Sequence, residues 1–145
     1  MPQHVSPRQV VEALMQGITD ARWHELHHYY ADNAVVEYPF GLPKPSRLEG
    51  IDTIRKYFAT VSGFSMRMRA RNMVVHETTD PDVVIAEWDY DVTVTTTHRT
   101  FSVSNIQVTT VRNGKIVASR DYHNHFAMAE ALGRLPALLA ALEKG

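Results

Sequence analysis

The stretch FSMRMRARNMVV, residues 64–75, decides how this chain folds. Before Phe64 apolar residues recur every three or four positions. From Phe64 they recur every second one, the period of a strand with one wet face. Met66, Met68 and Ala70 alternate with Arg67, Arg69 and Arg71. The next such run, DVVIAEWDYDVTV at 82–94, sets Glu87, Asp89 and Asp91 between Trp88, Tyr90 and Val92. A hairpin turning at TTDPD pairs Arg71 with Glu87, Arg69 with Asp89 and Arg67 with Asp91. Each facing pair of opposite charges contributes about 0.2–1 kcal/mol. The larger effect is topological, because a one-residue slip would bury all six charges. The acids, spaced as a metal or acid–base site could be, therefore read as a solvated ladder. Met66, Met68, Trp88, Tyr90 and Val92 mark the inner face, as plain core or as the adaptable wall of an apolar pocket.

Two further alternating runs follow, TFSVSNIQVTTV at 100–111 and KIVASRDYHNHF at 115–126, so the reading is an antiparallel meander. Upstream, Ser6-Pro7 opens a helix carrying Val10, Val11, Leu14, Met15 and Ile18 at helical spacing. Asp20 reads as the cap of a second helix with Trp23, Leu26, His27 and Tyr30 in one stripe. AVVEYPF at 34–40 is a short strand, and GLPKPSRLEG at 41–50, with two prolines and two glycines, is a loop. GIDTIRKYFATV predicts a third helix clustering Ile51, Ile54, Tyr57 and Phe58. The chain closes on a helix broken near Gly133 and Pro136. The expected fold is one α+β domain over residues 1–145: a curved sheet wrapped around three N-terminal helices, plus a C-terminal helix.

The composition narrows function. The chain has 145 residues, 44% hydrophobic and 21% charged, with a net charge of −1. That balance leaves no basic footprint for nucleic acid. Cysteine is absent, which removes disulfides, thiol catalysis and zinc–thiolate sites. No apolar run reaches a membrane span, and the N-terminal MPQHVSPRQV lacks the apolar core of a signal peptide, so a cytoplasmic protein is expected. Of the eight histidines, His24 and His28 stand four apart on the expected second helix, a spacing that can hold a metal. Nothing nearby completes such a site, so a solvated face and no metal are expected.

YADNAVVEYPFG at 30–41, LEGIDTIRKYF at 48–58 and VRNGKIVASRDYHNHF at 111–126 together resemble the nuclear-transport-factor-2-like superfamily, in particular SnoaL-like proteins and ketosteroid isomerases. The likeness spans most of residues 8–130. It implies a cone of curved sheet and helices with an apolar pocket at its mouth, often dimeric through the outer sheet face. Carried over residue by residue, it puts Tyr38 where the isomerases hold their general base. Leu14 and Gln107 stand where those enzymes hold their oxyanion donors, so that machinery is missing. Where limonene-epoxide-hydrolase-like members carry an arginine and an aspartate, this chain has Trp88 and Tyr90. Asp121 resembles the last-strand acid–base aspartate of SnoaL-like polyketide cyclases.

The same resemblance turns Ser119, Asp121 and His123 into the cone. An inward carboxyl there should be costly to ionise, which suits a general acid or base. His123 lies about 7 Å further along the strand, as a hydrogen-bond donor or proton shuttle, and Tyr38 is the third group. His125, near the strand end, reads as structural or exposed. Met66, Met68, Trp88, Tyr90, Phe58 and Tyr30 are the expected apolar and aromatic lining. The polar lining depends on the RNG turn at 112–114. A two-residue turn points Ile106 and Val108 inward; a three-residue turn points Asn105 and Gln107 inward and is preferred. The function expected is acid–base isomerisation, cyclisation or dehydration of an apolar cyclic or polyketide-like molecule, without a cofactor and in a homodimer. The alternatives are a non-catalytic apolar-ligand-binding protein or an accessory subunit with the same fold.

Overall fold

The computed structural model describes residues 5–144; Met1–His4, part of the polar N-terminal segment read above, and Gly145 lie outside it. Helix α1 (Pro7–Thr19) starts in a capping box. The Ser6 hydroxyl accepts from the Gln9 amide, and the Gln9 side chain returns the bond to Ser6. Its buried face is the expected one, Val10, Val11, Leu14, Met15 and Ile18. It ends in a Schellman motif: Ala21 N–H donates to Ile18 O and Arg22 N–H to Gly17 O, with Ala21 at φ 56°.

That motif overturns the expected second helix. Asp20 closes α1 instead of opening another helix, and only a 3-10 turn, Leu26–Tyr29, remains. His24 and His28 therefore do not share a helical face. His28 stacks on His27 instead, with ring centroids 4.1 Å apart. Tyr30 already belongs to strand β1 (Tyr30–Tyr38). The 41–50 segment is not all loop, since β2 (Ser46–Glu49) pairs antiparallel with β1. Helix α2 (Ile51–Ser62) packs Ile54, Phe58 and Val61 inward.

The meander is β3 (Met66–Glu77), β4 (Val83–Val94), β5 (Arg99–Arg112) and β6 (Lys115–Tyr122). With β1 running parallel to β6, they form one curved, open, six-stranded mixed sheet in the order β2-β1-β6-β5-β4-β3. Its inner face and the helices enclose the core. The chain ends in two helices, α3 (His125–Ala131) and α4 (Leu135–Lys144), separated at Gly133, φ 71°. No helix among the described residues is long and apolar enough to cross a membrane.

Two registers differ from expectation. In the β3–β4 hairpin Arg71 faces Asp89, Arg69 faces Asp91 and Arg67 faces Thr93, two residues from the expected pairing. A one-residue bulge at Asn72, φ 57°, shifts the register between Arg71 and Val74, so Glu87 faces Val74 and its side chain meets His76, 2.6 Å away. A shift of two keeps every side chain on its face, so the ladder is outside as argued. Arg71 binds Asp91 at 2.6 Å, and Ser102 and Ser104 donate to Asp91 and Asp89.

The second difference lies at β5–β6. Asn113 and Gly114 form the two-residue turn, with φ of 52° and 75°, against the three-residue turn preferred from sequence. Even so, Asn105 and Gln107 face inward. The register slips by one between Thr110 and Val111, where β6 carries an extra residue around Val117. Ile106 is left exposed.

Candidate active site

The open end of the cone leads into a cavity of about 220 Å³. Its apolar part is built from α1 (Leu14, Met15, Ile18), α2 (Ile54, Phe58, Val61) and the inner edge of β3 (Met66, Met68). Its polar part is built from Asn105 and Gln107 of β5 and Asp121 of β6; Thr109 and Ser119, further along the same inward rows, are buried beyond the cavity lining. Five consecutive inward polar positions on adjacent strands are a poor way to make a core. Four of them are paired between β5 and β6, Gln107 facing Asp121 and Thr109 facing Ser119. Gln107 Nε2 donates to Thr109 Oγ1 at 2.9 Å, and the Ser119 hydroxyl donates to Asp121 Oδ1.

Asp121 is 7% exposed. Burial pushes its carboxyl up to about 7, only partly offset by the Ser119 hydrogen bond. With Oδ1 held by Ser119, Oδ2 is the oxygen left for chemistry. His123 Nε2 lies 3.9 Å from it, beyond hydrogen-bond reach. Burial holds the His123 ring down to about 4. The two groups are therefore never charged together: the carboxyl ionises above the pH at which the imidazole has already lost its proton. His123 meets Asp121 at neutral pH as an uncharged imidazole whose Nε2 is buried without a partner.

Of the residues expected to line the site, Tyr30, Tyr38, Phe58, Met66, Met68, Tyr90, Asn105, Gln107, Asp121 and His123 do border the cavity. Trp88 does not. It is buried behind the wall, edge-on to Tyr90 at 5.6 Å and to His123 at 6.1 Å, where it supports both rings. Tyr38 does not stand across the pocket: it is on β1, the strand next to β6, with its ring 6.1 Å from His123 and 5.8 Å from His125. Burial keeps its phenol far above the ordinary range, with Tyr57 and Asp121 adding to the effect.

Besides aliphatic wall residues such as Leu14 and Ile54, sequence reasoning missed four contributors that bear on the site's chemistry and closure. His125 is not on the last strand with Asp121: Asn124 leaves the sheet and caps α3, its side chain accepting from the Ala127 amide at 3.0 Å. That turn swings His125 over the cavity, with Nε2 buried and unpartnered. The asparagine before an apolar helical run was the available signal. Met128 and Leu132, four apart on and just beyond α3, close the same side, and Tyr57 adds a phenol beside Tyr38. Among the described residues no cluster of three histidine or acidic side chains could hold a metal.

The model of the SnoaL-like domain matches residues 11–119. The chain belongs to this family. A PhzA/B-like protein of Pseudomonas aeruginosa, itself uncharacterised, is 32% identical over 81% of this SnoaL-like chain and 82% of its own length. Among solved structures, a candidate isomerase from Bacillus subtilis has a TM-score of 0.80 at 27% identity, covering 88% of this chain and 92% of that one. A candidate polyketide cyclase from Xanthomonas campestris has a TM-score of 0.72, covering 89% and 96%; at 18% identity it speaks for the fold alone. The nuclear-transport-factor-2-like cone is thus shared, and the side chains inside it are this chain's own.

Proposed function

We propose that this SnoaL-like protein is an acid–base enzyme acting on a small, largely apolar cyclic or polyketide-like carbonyl compound, by isomerisation, cyclisation or dehydration. The observation that carries the reading is a single carboxyl in a mostly apolar cavity, buried enough to stand near 7. A general base is most effective when its pKa lies near the working pH. Asp121 Oδ2 takes the proton from the carbon next to the carbonyl. The developing enolate oxygen takes a hydrogen bond from neutral His123 or from the Tyr38 phenol. Asp121 then returns the proton to a different carbon or to a leaving oxygen. Such a proton transfer needs no cofactor. The name of the isomerase relative points the same way.

Hydrogen–deuterium exchange into β-tetralone, read by mass spectrometry, tests the assignment. Wild-type protein should accelerate exchange, and Asp121→Asn should lose about 10²–10⁴-fold of the acceleration. Binding of the ketone without any accelerated exchange would instead make the cavity a ligand-binding module.

The outer face supports a homodimer. Phe40, Val74, Ile106 and Phe126 are all exposed there, and Tyr122 packs edge-on to Phe40 at 5.1 Å. An apolar patch of this kind, framed by the charge ladder, suits a second copy of the same face. Ile106→Arg should convert a sedimenting dimer to a monomer with unchanged circular dichroism. A wild-type protein that sediments as a monomer rejects the dimer.

A further inference from the structure

The charge of the cavity wall is as informative as its catalytic groups. The lining residues include neither lysine nor arginine. Their titratable groups are Asp121, His123, His125 and the phenols of Tyr30, Tyr38, Tyr57 and Tyr90. Burial holds both imidazoles down and all four phenols up, so each of these six is uncharged near neutrality. The one group able to carry a formal charge is Asp121, and that charge is negative. A carboxylate, sulfate or phosphate on a ligand would leave water, find no counter-ion, and face an acid.

Uncharged oxygens are served well. His123 Nε2 and His125 Nε2 are buried and unpartnered, and Asn105 has only a long 3.5 Å bond to its neighbour Val103 O. The two imidazoles are neighbours, with ring centroids 6.0 Å apart, while α1 contributes only the apolar Leu14, Met15 and Ile18 to the lining. Size sets a second limit. A cavity of about 150 Å³ accepts benzene. The present one, about 220 Å³, can enclose a second small ring but not a whole four-ring skeleton.

We infer that the cavity selects an uncharged one- or two-ring molecule with a hydrogen-bonding oxygen at one end, and excludes organic acids and larger fused-ring systems. This rests on the cavity being a ligand site, as in the function proposed above, but not on its performing catalysis.

Calorimetric titration at pH 8 with three probes tests it: β-tetralone, neutral and two-ringed; naphthoate, of similar shape but anionic; and a neutral four-ring steroid ketone. β-Tetralone should bind in the micromolar range, naphthoate at least tenfold more weakly, and the steroid not measurably. In Asp121→Asn, naphthoate should gain at least threefold while β-tetralone changes less than that, because only the anion senses the lost charge. Naphthoate binding as tightly as β-tetralone overturns the charge rule, and steroid binding overturns the size rule. No binding by any probe overturns the ligand class altogether. β-Tetralone binding without proton exchange leaves the selection rule standing and removes only the catalytic role.

Discussion

Asp121→Asn protein will be more stable than wild type at pH 8 and close to it at pH 4. The carboxyl has a pKa of about 7 when folded, against 3.8 as its ordinary value. A carboxyl raised in this way costs nothing below its unfolded pKa; the cost grows from there upward and levels off above the folded value. Fully ionised, it costs about 4 kcal/mol. His123 works in the opposite direction. Its ring stands at about 4 when folded against 6.5 ordinarily, so the neutral form is favoured by burial. Stability from that source is complete above the unfolded value, and roughly 3 kcal/mol is lost as pH falls through the folded one. In wild type the two slopes nearly cancel between pH 4 and 6.5. Asp121→Asn should uncover the rising slope of His123, and His123→Gln the falling slope of Asp121. Urea denaturation at four pH values from 4.5 to 8 will show the two variants diverging on either side of a flat wild-type profile. Asp89 and Asp91, held below the usual carboxylate range by hydrogen bonds from Ser104 and Arg71 first of all, lie on the outer face and are common to all three proteins, so they drop out of the comparison. An asparagine variant no more stable than wild type at pH 8 would mean that water reaches the carboxyl. The base assignment would then lose its physical footing.

The sheet was legible in the sequence because its signal is local and redundant. Four runs alternate with period two, and the misread β3–β4 register cost nothing, because a slip of two preserves the faces. The inward set on β5 came out right although the turn itself was misread, since a two-residue turn followed by a one-residue slip has the same parity as a three-residue turn. What failed was nearly always a boundary. Asp20, Asn124 and Ser46 each start or stop an element, and the same residue types serve either end or a loop. That ambiguity concealed the placement of His125, because only tertiary packing of α3 brings it over the cavity. Trp88 was assigned to the wall from its strand parity, which is right. Alternation gives a side chain's face but not how far its end reaches beyond its neighbours, and Tyr90 and His123 stand in front of it.

The fold's other large sensitivity lies where α1 meets the 3-10 turn, at Gly17 and Leu26. Leu26 is fully buried, so Leu26→Ala should cost about 2–5 kcal/mol. Gly17 sits inside α1, where glycine to alanine ordinarily stabilises by about 0.5–1 kcal/mol. Here the sign should invert. A Cβ at residue 17 would stand 2.6 Å from Leu26 Cδ2, and a leucine with no exposed surface has nowhere to retreat. Overpacking of this kind costs about 1–3 kcal/mol, which exceeds the gain in helix propensity. In Leu26→Ala protein the obstruction is gone, the new methyl enters vacated space, and Gly17→Ala becomes stabilising. The double-mutant cycle should therefore show a coupling of about 2 kcal/mol with a change of sign in the Gly17 step. Midpoints of urea denaturation for the four proteins, at constant slope, measure it. A Gly17→Ala change that stabilises the wild-type background would mean that Leu26 does not occupy the notch in α1. The turn that brings the chain from α1 into β1, and with it Tyr30 to the cavity, would then lose its anchor.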